Sequence, residues 1–228
     1  MIAALIVAAG RGVRMGGGAR KQFRLLAGRP VLVHSLAAFD GCREIERVVL
    51  VVPQSEVDYC RREIIECARM SKPVVLVAGG ARRQDSVYNG LAAIEVQRGI
   101  VLIHDGVRPL IDRHLIEACI AGARQWHACI PALAVSDTLK QVDALGVIRE
   151  SPKRDTFYLA QTPQAFDIQW IREAHTAARQ NGWEATDDAS LLERLGRSVH
   201  IIPGARRNIK ITTSEDLILA EALLANRS

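Results

Sequence analysis

Ile2-Ala3-Ala4-Leu5-Ile6-Val7-Ala8, followed at once by Ala9-Gly10-Arg11-Gly12-Val13-Arg14-Met15, decides how this chain is read. An unbroken apolar run leaves no polar face, so a strand here is buried on both sides. The glycines that follow let the backbone turn sharply and aim N–H groups at an anion. A buried strand running into a glycine loop is how a parallel α/β sheet opens a phosphate or nucleotide site. Two narrower sites are excluded. A dinucleotide loop would carry a third glycine where Met15 stands, and Val51-Val52-Pro53-Gln54 lacks the acid that holds a ribose. No GxxxxGK[ST] run occurs, so the loop is not a P-loop.

Working outward, short apolar runs alternate with helical patterns. Strands are expected at 2–8, 48–52, 74–78, 100–104 and 129–134. Helices are expected at 31–39, 56–70 (with Ile64 and Ile65 facing inward), 85–94 and 115–126. This alternation predicts an α/β fold with a doubly wound, mostly parallel sheet. The pattern breaks at 136–161, which is polar and carries β-type alternation through Thr138, Leu139, Val142, Val147 and Ile148. That segment reads as an arm inserted into one domain spanning 1–228. Helices at 168–179 and 187–195, a strand at 199–202 and a helix at 214–225 close the chain. Ser214 is the expected N-cap of the last helix, with Glu215 and Asp216 in its first turn.

Composition narrows the partners. The 228 residues are 49% hydrophobic and 4% aromatic, with a formal net charge of +5. Basic residues are scattered rather than clustered, and aromatics are too few for base stacking, so a nucleic-acid partner is not expected. No stretch is long enough to span a bilayer, and the apolar start lacks the basic flank of a signal peptide. Cys42, Cys60, Cys67, Cys119 and Cys129 show no metal spacing and read as reduced core residues of a cytoplasmic protein.

The chemistry is sought where strands end. The first loop carries Arg14 and Lys21. Lysine occurs only at 21, 72, 140, 153 and 210, so one placed in a glycine loop is a strong phosphate candidate. Arg11 and Arg20 read as solvated charges. The second loop, Gly79-Gly80-Ala81-Arg82-Arg83-Gln84-Asp85-Ser86, opens a helix and so presents free N–H groups. Ser86 and Asp85 could equally serve that helix start alone. One of Arg82 and Arg83 is expected to face solvent; Arg83 is the nucleotide-binding candidate. The third, His104-Asp105-Gly106-Val107-Arg108-Pro109, offers a carboxylate that can hold Mg²⁺ or a hydroxyl, or pair with Arg108 to shape the turn. His104 reads as structural. The fourth, Arg207-Asn208-Ile209-Lys210, places a lysine in an apolar run, its head directed at something. These are the means of joining two phosphates, which needs cations and backbone N–H groups rather than a protein nucleophile.

Taken together, AAGRGVRM (8–15), ARKQF (19–23), GGARRQDSV (79–87), HDGVRP (104–109), SDTLK (136–140), AQTPQAF (160–166), TDDAS (186–190) and NIKIT (208–212) resemble one family. It is the cytidylyltransferase family acting on 2-C-methyl-D-erythritol 4-phosphate in non-mevalonate isoprenoid synthesis. The resemblance implies a Rossmann-like nucleotidyltransferase fold with a protruding β-arm. It implies transfer of CMP from CTP, giving 4-diphosphocytidyl-2-C-methyl-D-erythritol and pyrophosphate. By position, Ala8, Ala9, Gly10, Gly80 and Ser86 match residues holding the cytidine. Arg14 and Lys21 match contacts to the triphosphate, and Lys210 a second active-site lysine. Asp105, Arg108, Thr138 and Arg154 match the substrate pocket. The arm is implied to be a homodimer contact that brings Thr138 and Arg154 to the neighbouring subunit, and Mg²⁺ to be held mainly by CTP phosphates. Three positions depart from the family pattern: Arg20, Gly106-Val107 and Arg207.

Other readings are a ribitol-5-phosphate cytidylyltransferase with the same fold, a non-catalytic nucleotide-binding module, and an NAD-dependent dehydrogenase. Having both Lys21 and Lys210 disfavours the module, and the missing ribose acid disfavours the dehydrogenase.

Overall fold

The computed structural model describes residues 1–10 and 20–226. Its centre is β1 (Ile2–Val7), flanked in parallel by β4 (Arg47–Val52) and β6 (Ile100–Asp105). β5 (Val74–Ala78) extends the sheet beyond β4, also in parallel. On the other side, β11 (Gln164–Asp167) lies antiparallel between β6 and β7 (Ala128–Ala134). β7 also pairs with β10 (Tyr158–Ala160), antiparallel, and with β12 (His200–Pro203), parallel. The sheet is therefore mostly parallel with one antiparallel strand inside it, and the α/β expectation holds.

Alternation along the strands feeds two cores. From β1, Ile2, Ala4 and Ile6 pack with Leu36 and Phe39 of α1 (Val31–Asp40) and Ile116 and Ile120 of α5 (Arg113–Trp126). Ala3, Leu5 and Val7 face the other way. They join Val87 and Leu91 of α4 (Arg83–Ala92), Ile171 and Ala174 of α6 (Ile168–Asn181), and Leu191 and Leu192 of α7 (Ala189–Arg194). Helices on both faces of a parallel sheet are what its two-sided apolar strands demand. A smaller cluster of Leu26, Val31, Leu110, Ile211 and Ala220 holds α8 (Ser214–Ala225) beside the short hairpin β2 (Leu25–Leu26) and β3 (Arg29–Pro30).

Four local expectations change. The helix expected at 56–70 is composite: α2 (Val57–Tyr59), a π-helical stretch Cys60–Ile65, and α3 (Glu66–Ala68). The wider π turn shifts the inward face, so Ile64 is buried while Ile65 is only partly so. The last helix is capped by Thr213, not Ser214: Thr213 accepts from Asp216 N–H, and the Asp216 carboxylate accepts from Thr213 N–H at 2.9 Å. Four cysteines are buried, but Cys67 is exposed. Finally, the arm is shorter than 136–161. Its hairpin is β8 (Gln141–Val142) with β9 (Ile148–Glu150), and β10 already belongs to the main sheet.

Candidate active site

The ends of β1, β5 and β6 meet the 204–212 loop on one side of the sheet. Two adjoining cavities lie there. The first, about 170 Å³, is lined by Ala8, Ala9, Gly10, Lys21, Gly80 and Ser86, among others. The second, about 260 Å³, is lined by Arg108, Gln161, Thr162, Gln164, Thr186 and Asp187, among others. Arg83, Asp105 and Lys210 line both.

The first cavity is a backbone surface. Gln22, buried beside Lys21, donates to Ala8 O at 2.7 Å and to Gly10 O at 3.3 Å, pinning the start of the glycine loop. Opposite it, a Cβ on Gly79 would come within 2.3 Å of Ala9 Cβ, so glycine is what lets the two loops approach. Ser86 Oγ accepts from Gly80 N–H at 3.1 Å and donates to Arg82 O at 3.0 Å. Ser86 therefore organises the turn while lining the cavity. Arg82 is the solvent-facing member of its pair, bonded to Asp85 and Glu184. Arg83 is the inward one.

At the junction the charges alternate. Asp105 Oδ2 accepts from Lys210 Nζ at 2.6 Å, and Asp105 Oδ1 from Arg83 Nε at 3.0 Å. Arg83 Nη1 reaches the buried Asp188 at 2.7 Å. Burial alone would raise the Asp105 carboxyl; Arg83, Lys210 and Arg108 outweigh it and hold the group well below the usual carboxylate range. The same balance runs the other way in Arg83, where Asp188 and Asp105 overcome burial and keep the guanidinium charged. Arg108 donates from Nη1 to Asn208 O at 2.7 Å, while its buried Nε has no partner among the described residues. Arg108 itself lines the second cavity.

Beneath the junction, Asp105 N–H donates to Thr162 Oγ1, whose hydroxyl faces His104 Nδ1 at 3.2 Å. His104 Nε2 meets Arg108 O at 3.2 Å, an acceptor only, so the proton sits on Nε2 and Thr162 donates to Nδ1. Burial lowers His104 to about 4, so it is a neutral structural group here. The loop bearing Lys210 is tied down separately. Gln161 exchanges hydrogen bonds with Ala205 at 2.9 and 3.1 Å, and Asn208 Nδ2 donates to Thr162 O at 2.8 Å.

Ala8, Ala9, Gly10, Lys21, Gly80, Arg83, Ser86, Asp105, Arg108 and Lys210 thus converge. Arg14 lies outside the described residues. Thr138 and Arg154 are exposed and line neither cavity; Arg154 donates instead to Ser136 O. Gln22, Gln161, Thr162, Gln164 and Asp188 are parts of the site that residue-by-residue reading does not assign. The runs AQTPQAF and TDDAS are signals for four of them, since paired amides and paired carboxylates at strand and helix starts need partners.

Comparison with known proteins places these features. A profile of the family described as 2-C-methyl-D-erythritol 4-phosphate cytidylyltransferase matches residues 2–226. A protein of that name from Syntrophotalea carbinolica is 50% identical over 221 residues, 96% of this chain and 94% of the relative. Another, from Geotalea uraniireducens, is 45% identical over 98% of this chain and 96% of its own. A solved 4-diphosphocytidyl-2C-methyl-D-erythritol synthase from Anaerococcus prevotii superposes with a TM-score of 0.86 at 34% identity, covering 99% of this chain and 98% of that one. The Thermus thermophilus cytidylyltransferase gives 0.77 at 33%, covering 97% and 98%.

Proposed function

This chain belongs to the 2-C-methyl-D-erythritol 4-phosphate cytidylyltransferase family, and from that premise we propose how its own residues carry the reaction. The enzyme transfers CMP from CTP to 2-C-methyl-D-erythritol 4-phosphate and releases pyrophosphate. A phosphate oxygen of the polyol attacks the α-phosphorus of CTP in line. A new P–O bond forms as the bond to the pyrophosphate oxygen breaks, and no proton need leave the attacking group because a phosphate monoester is ionised near neutral pH.

The single observation that carries this assignment is the pair of adjoining cavities with Arg83, Asp105 and Lys210 at their shared wall. A transfer between two phosphates needs cations where the two ligands meet. We assign the cytidine to the first cavity, against Ala8, Ala9, Gly10, Gly80 and Ser86, and the polyol phosphate to the second, against Asp105 and Arg108. Lys21, Arg14 and Lys210 are assigned to the triphosphate and to the charge building on the attacked phosphorus. Asp105 holds Lys210 Nζ and Arg83 in register, so these cations need not reorganise as the charge develops.

Mg²⁺ fits as a passenger of the triphosphate. Both Asp105 oxygens are already engaged by cations, and among the described residues no group of three or more His, Cys, Asp or Glu forms a cage. Asp105 would be the one carboxylate to contact such a metal, which would otherwise be held through the CTP phosphates. Bound there, it would neutralise phosphate charge.

The arm supports a homodimer. Val142, Leu145, Val147 and Ile148 are exposed on a hairpin too small to form its own core. A second copy would cover them, and a two-fold arrangement would carry Thr138 and Arg154 to the partner's second cavity. Among the described residues no helix is long and apolar enough to cross a membrane. The test is turnover: pyrophosphate release with CTP should be much faster with methylerythritol phosphate than with ribitol 5-phosphate. Equal or reversed kcat/KM values would overturn the substrate assignment.

A further inference from the structure

Asp187 and Asp188 stand side by side at the start of α7, yet only one serves the helix. Asp187 Oδ1 accepts from Ser190 N–H at 3.1 Å, as a capping carboxylate does. Asp188 follows it with helical backbone angles, φ −79° and ψ −29°, and makes no capping hydrogen bond. Its carboxylate is turned inward and buried, with Oδ2 on Arg83 Nη1 at 2.7 Å and Oδ1 on His175 Nε2 at 3.1 Å.

His175 is equally buried, comes from the middle of α6, and makes no hydrogen bond through Nδ1. Among the described residues, the one polar contact of its ring is therefore to Asp188. Burial would push the Asp188 carboxyl up, but Arg83 and His175 outweigh it and keep it ionised. An ionised carboxylate only accepts, so Nε2 donates. With one oxygen pinned by His175, the Asp188 carboxylate cannot rotate without breaking a buried bond. The other oxygen then fixes the Arg83 guanidinium in its plane. Arg83 Nε in turn orients Asp105, whose second oxygen holds Lys210 Nζ.

We propose that His175 is a positioning residue for the transfer reaction, setting Arg83 through Asp188 from behind the site. It touches neither cavity that we assign to a substrate. The inference rests on the functional reading above.

Glutamine and methionine are close in length and volume, but only glutamine carries an N–H that can take the place of Nε2. His175→Gln should keep kcat near wild type. His175→Met should lower kcat on the order of 10- to 100-fold, because small misplacements of charge at the reacting centre cost that much. KM for CTP should stay near the wild-type value in both, since the backbone surface assigned to the cytidine, Ala8 to Gly10 and Gly80, is unchanged. Equal kcat in folded Gln and Met variants would overturn the proposal, because a purely structural histidine is replaced equally by either. If the Met variant does not fold, His175→Asn gives the reading. Its amide matches Nδ1 in reach rather than Nε2, so kcat should fall, and wild-type kcat would overturn the proposal. Wild type assayed alongside separates the two claims. No turnover in wild type removes the functional premise and the inference with it, whereas normal turnover with equal Gln and Met values refutes the inference alone.

Discussion

The junction of the two cavities and the arm between β7 and β10 solve opposite problems. At the junction, Asp105, Asp188 and His175 are buried, and each charge is satisfied by another carried on a different element. On the arm, Leu145 is 87% exposed and Ile148 57%, and Arg154 donates to a backbone carbonyl of the arm itself, that of Ser136. The junction is complete within one chain and rigid because its charges cannot be separated without leaving one buried and unpaired. The arm leaves its apolar side chains uncovered in one chain, and in the proposed homodimer a second copy would cover them. Catalytic electrostatics must be set in advance, whereas a pocket wall can be delivered by assembly.

The comparison breaks most sharply at Lys210. Lys210→Ala should lower kcat on the order of 100- to 1,000-fold, the usual cost of losing one fixed charge contact in a transition state, with the fold intact by circular dichroism. Lys21→Ala should behave alike. A rise in KM with kcat unchanged would instead mean uniform ground-state binding.

A pH titration tests how the junction is floored. His104 lies at about 4 when folded against 6.5 ordinarily, because burial disfavours its charge. The unfolded chain therefore binds the proton first. The stability contribution is fully present above pH 6.5, falls as pH drops, and is lost by about pH 4. The window corresponds to on the order of 3 kcal/mol. Urea midpoints should fall across it in wild type and fall less steeply in His104→Gln. Parallel slopes would place the acid sensitivity elsewhere.

The arm is sharpened by mixing variants. If Arg154→Ala and Lys21→Ala each abolish activity as homodimers, a mixed dimer with trans geometry has one site with both lesions and one intact. Activity should return to roughly half of wild type per mixed dimer, by counting sites in a two-fold assembly. No recovery in a verified mixed dimer would mean that Arg154 acts within its own chain. The smallest effect is expected on the fold itself. Ile148→Ser should shift unfolding free energy by less than about 0.5 kcal/mol, as surface changes do, while sedimentation shows the dimer weakened. Unchanged sedimentation would remove the arm as the contact.

How far the sequence alone can be read follows the size and regularity of the signal. β5 falls at Val74–Ala78 as expected, because a short apolar run between breakers has one plausible conformation. β11 is not legible as a strand, because Gln164-Ala165-Phe166-Asp167 is only four residues long and half of them are polar. Its place between β6 and β7 depends on residues far away in sequence. The π turn at Cys60–Ile65 is hidden for a related reason, since a 3.6-residue periodicity cannot register one wider turn.

The site divides in the same way. Gly10, Gly80, Lys21 and Lys210 can be singled out from the sequence, because a glycine loop after a strand and a rare lysine in an apolar run are local facts with a local physical meaning. That Arg83 rather than Arg82 turns inward, that Asp105 binds Lys210 across 105 positions of sequence, and that the Asp188 carboxylate turns inward while Asp187 caps the helix cannot. Each of those depends on which charge is buried opposite which. Only the packed chain decides that, because the energy of a buried ion pair is set by distance and solvent exclusion, and neither exists until the elements have met.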